Sequence, residues 1–254
     1  MNKKAGPLAL GQVGISDSFL PIYYQIQSII QKDIEEGCLK PGDIIPGERK
    51  LAERYQVSVG TVRQAVAALV SEGYLLRRQG KGTYVAGTTI RPDEVHYNRF
   101  VRDFTDPEAV IRMHLLGIRT VPAIGGVNEA LNIKPEQKLF EVRRSVFVDE
   151  EPVVYAVSYL PKQMFPDFDG LPPSRFAEVS LYIIVEQKYN LPTMHNRELF
   201  SVAPADEETA GILRVPAGEP LQRIELLAYT YKQKPYEFRT SLCLTTKRKI
   251  LREF

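Results

Sequence analysis

Cysteine, histidine and long apolar runs are all scarce in this chain of 254 residues, and each scarcity closes off a class of protein. The two cysteines, Cys38 and Cys243, stand far apart and share no spacing with other ligands, so neither a disulfide framework nor a zinc site is indicated. Reduced thiols in a cytoplasmic protein are the expectation. His96, His114 and His195 are equally scattered, and no metal or cofactor is implied. No apolar stretch approaches the roughly 20 residues that a membrane helix requires. The Met-Asn-Lys-Lys start leads into a mixed segment without the apolar core of a signal peptide. The sequence therefore reads as cytoplasmic, with no membrane partner. Net charge is also small, +2 at pH 7, but it is unevenly spread: residues 1–86 carry 11 Lys/Arg against 8 Asp/Glu. The basic excess sits at the amino end.

What is present is the composition of a folded chain, 44% hydrophobic and 25% charged, with length enough for a small domain and a medium one. Residues 1–20 read as a flexible leader. Pro21 then opens a helix in which Ile22, Ile26, Ile29, Ile30 and Ile34 recur at helical spacing, and Gly37 supplies its stop. Pro46 starts a second helix with Leu51, Ala52 and Tyr55 inward, and Gln56-Val57 forms a tight connection. Ser58 caps a third helix reaching about Glu72, whose apolar stripe runs from Val62 to Val70 and leaves Gly60, Thr61, Arg63, Gln64 and Ala67 outside it. Leu75–Arg78 and Thr83–Val85 are strand candidates around Gly80-Lys81-Gly82. The pattern predicts a winged helix-turn-helix over residues 21–86.

Residues 87–105 are polar and read as a linker. From 106 to 254 the pattern predicts a second domain of the α+β class. Its strands are expected at Leu139–Val148, Val153–Leu160, Leu221–Tyr231 and Tyr236–Thr245, and its helical pieces near 107–116, 174–190 and 205–214.

Two short amphipathic helices, a tight connection and an exposed face on the second are the requirements for laying a helix in a DNA groove. Arg49 and Lys50 at the start of the second helix, Ser58, Val59, Thr61 and Arg63 at the start of the third, and Gly80 and Lys81 at the hairpin tip are the candidate DNA-contacting residues. Arginine suits bidentate guanine contact and phosphate clamping, and a glycine-rich tip allows close backbone approach with a lysine for phosphate. Arg77 and Arg78 read as strand-edge solubilising charges.

Pro21-Ile22-Tyr23, Pro41-Gly42-Asp43, Pro46-x-Glu48-Arg49-x-Leu51-Ala52, Val57-Ser58-x-x-Thr61-Val62-Arg63 and Gly80-Lys81-Gly82-Thr83 together resemble the winged-helix domain of the GntR family of bacterial transcription regulators. The second domain is similar, more loosely, to the UTRA effector domain of the HutC-type branch, which has a chorismate-lyase-like fold. Arg144, Glu151-Pro152-Val153, Ser158-Tyr159-Leu160-Pro161 and Lys234-Pro235-Tyr236-Glu237 carry that likeness. The resemblance implies a repressor that is a homodimer through its carboxy-terminal domain, binds a two-fold symmetric double-stranded operator, and responds to a small-molecule effector. It implies effector contacts from Arg144, Ser158, Tyr159 and Glu237, although each of these also has a purely structural reading. Val59 stands where the family commonly has an arginine, so an operator unlike the family's usual one is expected. Val146 and Ala156 replace polar residues of sugar-phosphate-sensing relatives, which makes the expected pocket less polar. The rival readings are a lyase-like enzyme fused to a DNA-binding domain, and a regulator with a vestigial pocket controlled by a protein partner. The second domain shows no paired carboxylates, nucleophile–base set or metal-ligand spacing to support an enzyme.

Overall fold

The computed structural model describes residues 19–88, 99–103, 111–178, 180–246 and 248–251, so the expected leader lies almost wholly outside the described residues. Two compact units account for the described chain. The first comprises the described parts of Met1–Thr89 with Val185–Met194 and Tyr231–Gln233, and the second those of Ile90–Ile184, His195–Thr230 and Lys234–Phe254.

In the first unit α1 spans Ile22–Glu35, α2 Glu48–Tyr55 and α3 Val59–Ser71, followed by β1 Leu75–Arg78 and β2 Gly82–Val85. Each boundary has a local cause. Pro21 stands in extended geometry before α1, and its carbonyl accepts from the amides of Tyr24 and Gln25. Gln56 turns the chain after α2 in the left-handed region, φ 54°, which is how so short a connection reverses direction. Ser58 caps α3 by accepting from the Thr61 amide at 3.1 Å. Ile26, Ile30, Leu51, Val62, Val66 and Leu69 bring the three helices together in one buried cluster. Ile22, placed on the inner stripe by its spacing, is exposed at the first position of α1.

The second unit is a six-stranded antiparallel sheet in the order β4-β5-β6-β9-β8-β7. Its strands are β4 Ile111–Val121, β5 Leu139–Val148, β6 Glu151–Pro161, β7 His195–Pro204, β8 Pro220–Thr230 and β9 Lys234–Cys243. Helices α4 (Gly125–Ala130), α5 (Ser174–Glu178), α6 (Leu181–Tyr189) and α7 (Glu207–Leu213) connect them, and the unit boundary falls inside α6. The α+β class holds, with three corrections. Of the helical piece expected near 107–116, residues 107–110 lie outside the described residues and 111–116 belong to strand β4, which pairs with β5 from Ile111↔Val148 to Val121↔Leu139; the ladder outweighs the local helical spacing. Strand β7 and helix α4 went unpredicted. Within the expected linker, Arg99–Val101 form β3, paired antiparallel with β10 at Lys249–Leu251, while residues 89–98, 104 and 105 lie outside the described residues.

Candidate functional site

The amino-proximal site is built on α2, α3 and the β1–β2 hairpin. Arg49, Lys50 and Arg63 are exposed, because the helical period that sends Leu51, Val62 and Val66 inward turns them out. Ser58 and Thr61 are locked together. The Ser58 Oγ that caps the helix lies 2.8 Å from Thr61 Oγ1, so each hydroxyl is held in place at the helix start. Val59 is half-buried and packs against the three-helix core, so only part of its surface is open to a partner. At the hairpin tip Gly80 adopts φ +70° and Gly82 φ +117°, and the Lys81 amide donates to the Arg78 carbonyl at 2.9 Å. A Cβ at Gly82 would lie 2.9 Å from Ile44 Cδ1, the tip of an exposed side chain that can move aside, so the positive φ is what favours glycine there. Tyr84 Oη donates to the Lys81 carbonyl at 3.1 Å, and the Arg78 guanidinium lies over the Tyr84 ring at 5.1 Å. The tip is thus bonded in place, with Gly80 and Lys81 exposed at its end.

The second site lies within the six-stranded sheet. Val142, Ser158, Arg239 and Leu226 stand in one cross-strand row, and Arg144, Ala156, Ser241 and Ile224 in the next, all facing one side. On that face Arg144 Nη2 donates to Ser158 Oγ at 2.9 Å, and Ser158 Oγ donates to Glu237 Oε1 at 2.6 Å. The Glu237 carboxylate oxygen also lies 3.7 Å from Arg144 Nη2 and 3.5 Å from Arg239 Nη1. Arg239 Nη2 reaches Tyr182 Oη at 3.1 Å, and Asn196 Nδ2 reaches the same oxygen at 3.3 Å. Side-chain exposure is 3% for Arg144, 8% for Arg239 and 0% for Glu237, so these charges interact with little water between them. Glu237 Oε2 and Asn196 Oδ1 are buried acceptors with no hydrogen-bond partner among the described residues.

Arg144, Ser158 and Glu237 are therefore brought together, and Tyr159 is not. Consecutive strand residues face opposite sides, and Tyr159 lies on the far face, donating to Glu141 Oε2 at 3.3 Å. Burial first, and the adjacent Glu141 carboxylate second, raise its phenol above the ordinary tyrosine range. The sequence reading missed Arg239, Tyr182 and Asn196. The Glu237-x-Arg239 spacing was a usable signal, since residues two apart on a strand share a face. Val146 and Ala156 belong to the apolar cluster beside these charges. His114 and His195 are engaged with aromatic rings, against Phe147 and Tyr229, both at 4.6 Å between centroids. Cys38 and Cys243 are free thiols, and burial pushes Cys243 up to about 12. No described helix is long and apolar enough to cross a membrane.

Two family models match this chain: the bacterial regulatory proteins of the gntR family over residues 22–85, and the UTRA domain over residues 108–248. The chain is 32% identical over 218 residues to the HTH-type transcriptional regulator YurK of Bacillus subtilis (strain 168), covering 86% of this chain and 89% of that one. It is 27% identical over 223 residues to the protein of Escherichia coli (strain K12) named "Probable fructoselysine utilization operon transcriptional repressor", covering 87% and 90%. Among solved structures, PhnF of Mycobacterium smegmatis superposes with a TM-score of 0.53 at 22% identity over 90% of this chain and 98% of that chain, a likeness of fold alone.

Proposed function

The chain belongs to the GntR family of bacterial transcription regulators and carries a UTRA domain, and on that footing we propose that it is a cytoplasmic repressor working as a homodimer on a two-fold symmetric operator. One winged helix touches too few bases to select a site in a genome, so two copies paired through the carboxy-terminal domain present one α3 to each half-site. The observation that carries the reading is the outward set of Arg49, Lys50, Thr61, Arg63 and Lys81 around the exposed face of α3 and the bonded hairpin tip. Arg63 takes a guanine edge, Arg49, Lys50 and Lys81 take phosphates, and Gly80 lets the tip approach the backbone. Ser58 and Thr61 fix the start of α3 and offer hydroxyls to phosphate or base, and Val59 offers a thymine methyl group an apolar contact.

The cluster of Arg144, Ser158, Glu237 and Arg239 is the effector site, with Tyr182 and Asn196 as additional members and Tyr159 outside it. Glu237 Oε2 and Asn196 Oδ1 lack donors, so the fitting effector is a small polar molecule that brings hydroxyl or amine hydrogens to them. It releases DNA only to the extent that it binds the non-binding arrangement of the dimer more tightly. We read the domain as a sensor, not a lyase: Ser158 is held between Arg144 and Glu237, and neither described histidine of the sheet joins them. Selection of duplexes from a randomised pool tests the DNA reading, and a thermal-shift screen of metabolites tests the sensor reading. A palindromic consensus, and a stabilising compound that lowers duplex affinity, are the expected results. No enriched sequence would sink the first reading. A stabilising compound that leaves duplex affinity unchanged would sink the second.

A further inference from the structure

A carboxylate stands in the middle of the surface assigned to DNA, and its partners explain it. Glu48 is the first residue of α2. Its Oε2 accepts from Arg63 Nε at 2.9 Å and its Oε1 from Arg77 Nη2 at 3.0 Å, so α2, α3 and β1 converge on one side chain. We infer that Glu48 is a positioning residue of the DNA-reading surface, setting Arg63 for a base edge and Arg77 for a phosphate. The inference rests on the reading of α2, α3 and the hairpin as the DNA-contacting face.

A lone acidic group facing phosphates repels them, yet here two guanidinium groups outnumber it, and the local charge stays positive. An exposed ion pair adds almost nothing to folding stability, and side-chain exposures of 65% for Arg63 and 47% for Arg77 make these pairs poor candidates for a stabilising role. What the pairs do is restrict long side chains before the duplex arrives. Engaging Arg63 through Nε leaves its two terminal NH2 groups for another partner, and that pair is the fork that meets guanine O6 and N7. Arg63 is the sole cationic residue of α3, and Val59 brings no hydrogen bond, so the placement of that one fork governs base reading by the helix. Arg77, half exposed on β1, is held by the same carboxylate and extends the cationic surface from helix to wing.

The test uses the full chain, a duplex enriched by it from a randomised pool, and a scrambled duplex of equal length. Glu48→Gln keeps shape and removes charge. It should lower the ratio of specific to scrambled affinity about tenfold, within the range of one bidentate base contact, with the melting curve unchanged. Arg77→Ala should weaken both duplexes alike and reduce the slope of log affinity against log salt by about 0.9. In an Arg63→Ala background, Glu48→Gln should change the ratio no further. An unchanged ratio in Glu48→Gln, or an equal loss with and without Arg63, overturns the positioning role. An unchanged salt slope in Arg77→Ala removes that residue from the duplex. No affinity loss in Arg63→Ala alone would overturn the reading of this face, and the inference with it.

Discussion

Two arginine–glutamate clusters, one on α2, α3 and the wing and one inside the carboxy-terminal sheet, use the same side chains under opposite conditions. Arg63 and Arg77 meet Glu48 at a surface where water screens them, whereas Arg144 and Arg239 meet Glu237 where side-chain exposure falls to 8% or less. In the first cluster the pairing adds little to stability, and the arginines stay available to an incoming polyanion. In the second the charges hold one another in place, and removing one leaves the others buried with fewer partners. On the proposed reading the outer pairs leave their arginines open to DNA, while the inner pairs hold the effector site in shape. Substitutions in the two clusters should therefore separate binding from folding.

Arg144→Ala gives the largest expected effect. It strips Glu237 of one of its two neighbouring cations and Ser158 of a donor, and should cost about 3 kcal/mol of stability in urea unfolding, the low end for a broken buried pair because Arg239 stays 3.5 Å from Glu237. An unchanged midpoint would erase the contrast between the clusters. Arg63→Ala should do the reverse, with roughly 1–3 kcal/mol lost from operator binding at fixed salt and no measurable change in melting. Val59→Arg should add a guanine preference of similar size, about 1–3 kcal/mol; the same selected consensus for both proteins would show that position 59 does not read bases. Ser58→Ala joins the two properties, since the hydroxyl caps α3 and faces the proposed duplex: about 1 kcal/mol of stability should go with the cap, and an unaltered unfolding curve would mean that the cap bond is not formed in solution.

The smallest effect is a pH dependence at Asp206, which caps α7. Hydrogen bonds from Thr209, its side chain first and its amide at 2.7 Å second, hold this carboxyl below the usual range. A folded-state value below the unfolded one gives stability that is present above the ordinary carboxylate range and lost as pH falls through the lowered value. The difference in melting temperature between wild type and Asp206→Ala should therefore shrink as the solution is acidified. A constant difference would mean that the charge adds nothing to the cap.

The first unit was more legible in the sequence than the second, and the reason is period, although Glu48 was given no role there and Arg77 read only as a solubilising charge. Helices α1 to α3 and the hairpin announce themselves through apolar spacing and punctuation by Pro21, Ser58, Gly73 and Gly80. Exposed cations then follow as whatever the apolar stripe leaves outside. In the sheet, Ser158 and Tyr159 are neighbours in sequence and were grouped together, but a period of two sends them to opposite faces. Tyr182 and Asn196 come from a helix and an edge strand whose placement depends on long-range pairing, which no local pattern encodes. Strand β7 was invisible for a related reason: at the sheet edge it exposes Leu199 at 71% and Val202 at 75%, so the usual inside–outside alternation is missing. Strand β4 was misread because its apolar residues also fit a helix, and its ladder with β5 decides otherwise.

The central claim is that the exposed arginine face reads a specific duplex. It is tested most directly by enriching duplexes from a randomised pool with the full chain and measuring the binding of wild type and Arg63→Ala to the winner at two salt concentrations. The expected result is a two-fold symmetric consensus that Arg63→Ala binds less tightly at both salts, with a wild-type melting curve. A pool that never converges, or a consensus bound equally well by both proteins, would contradict it.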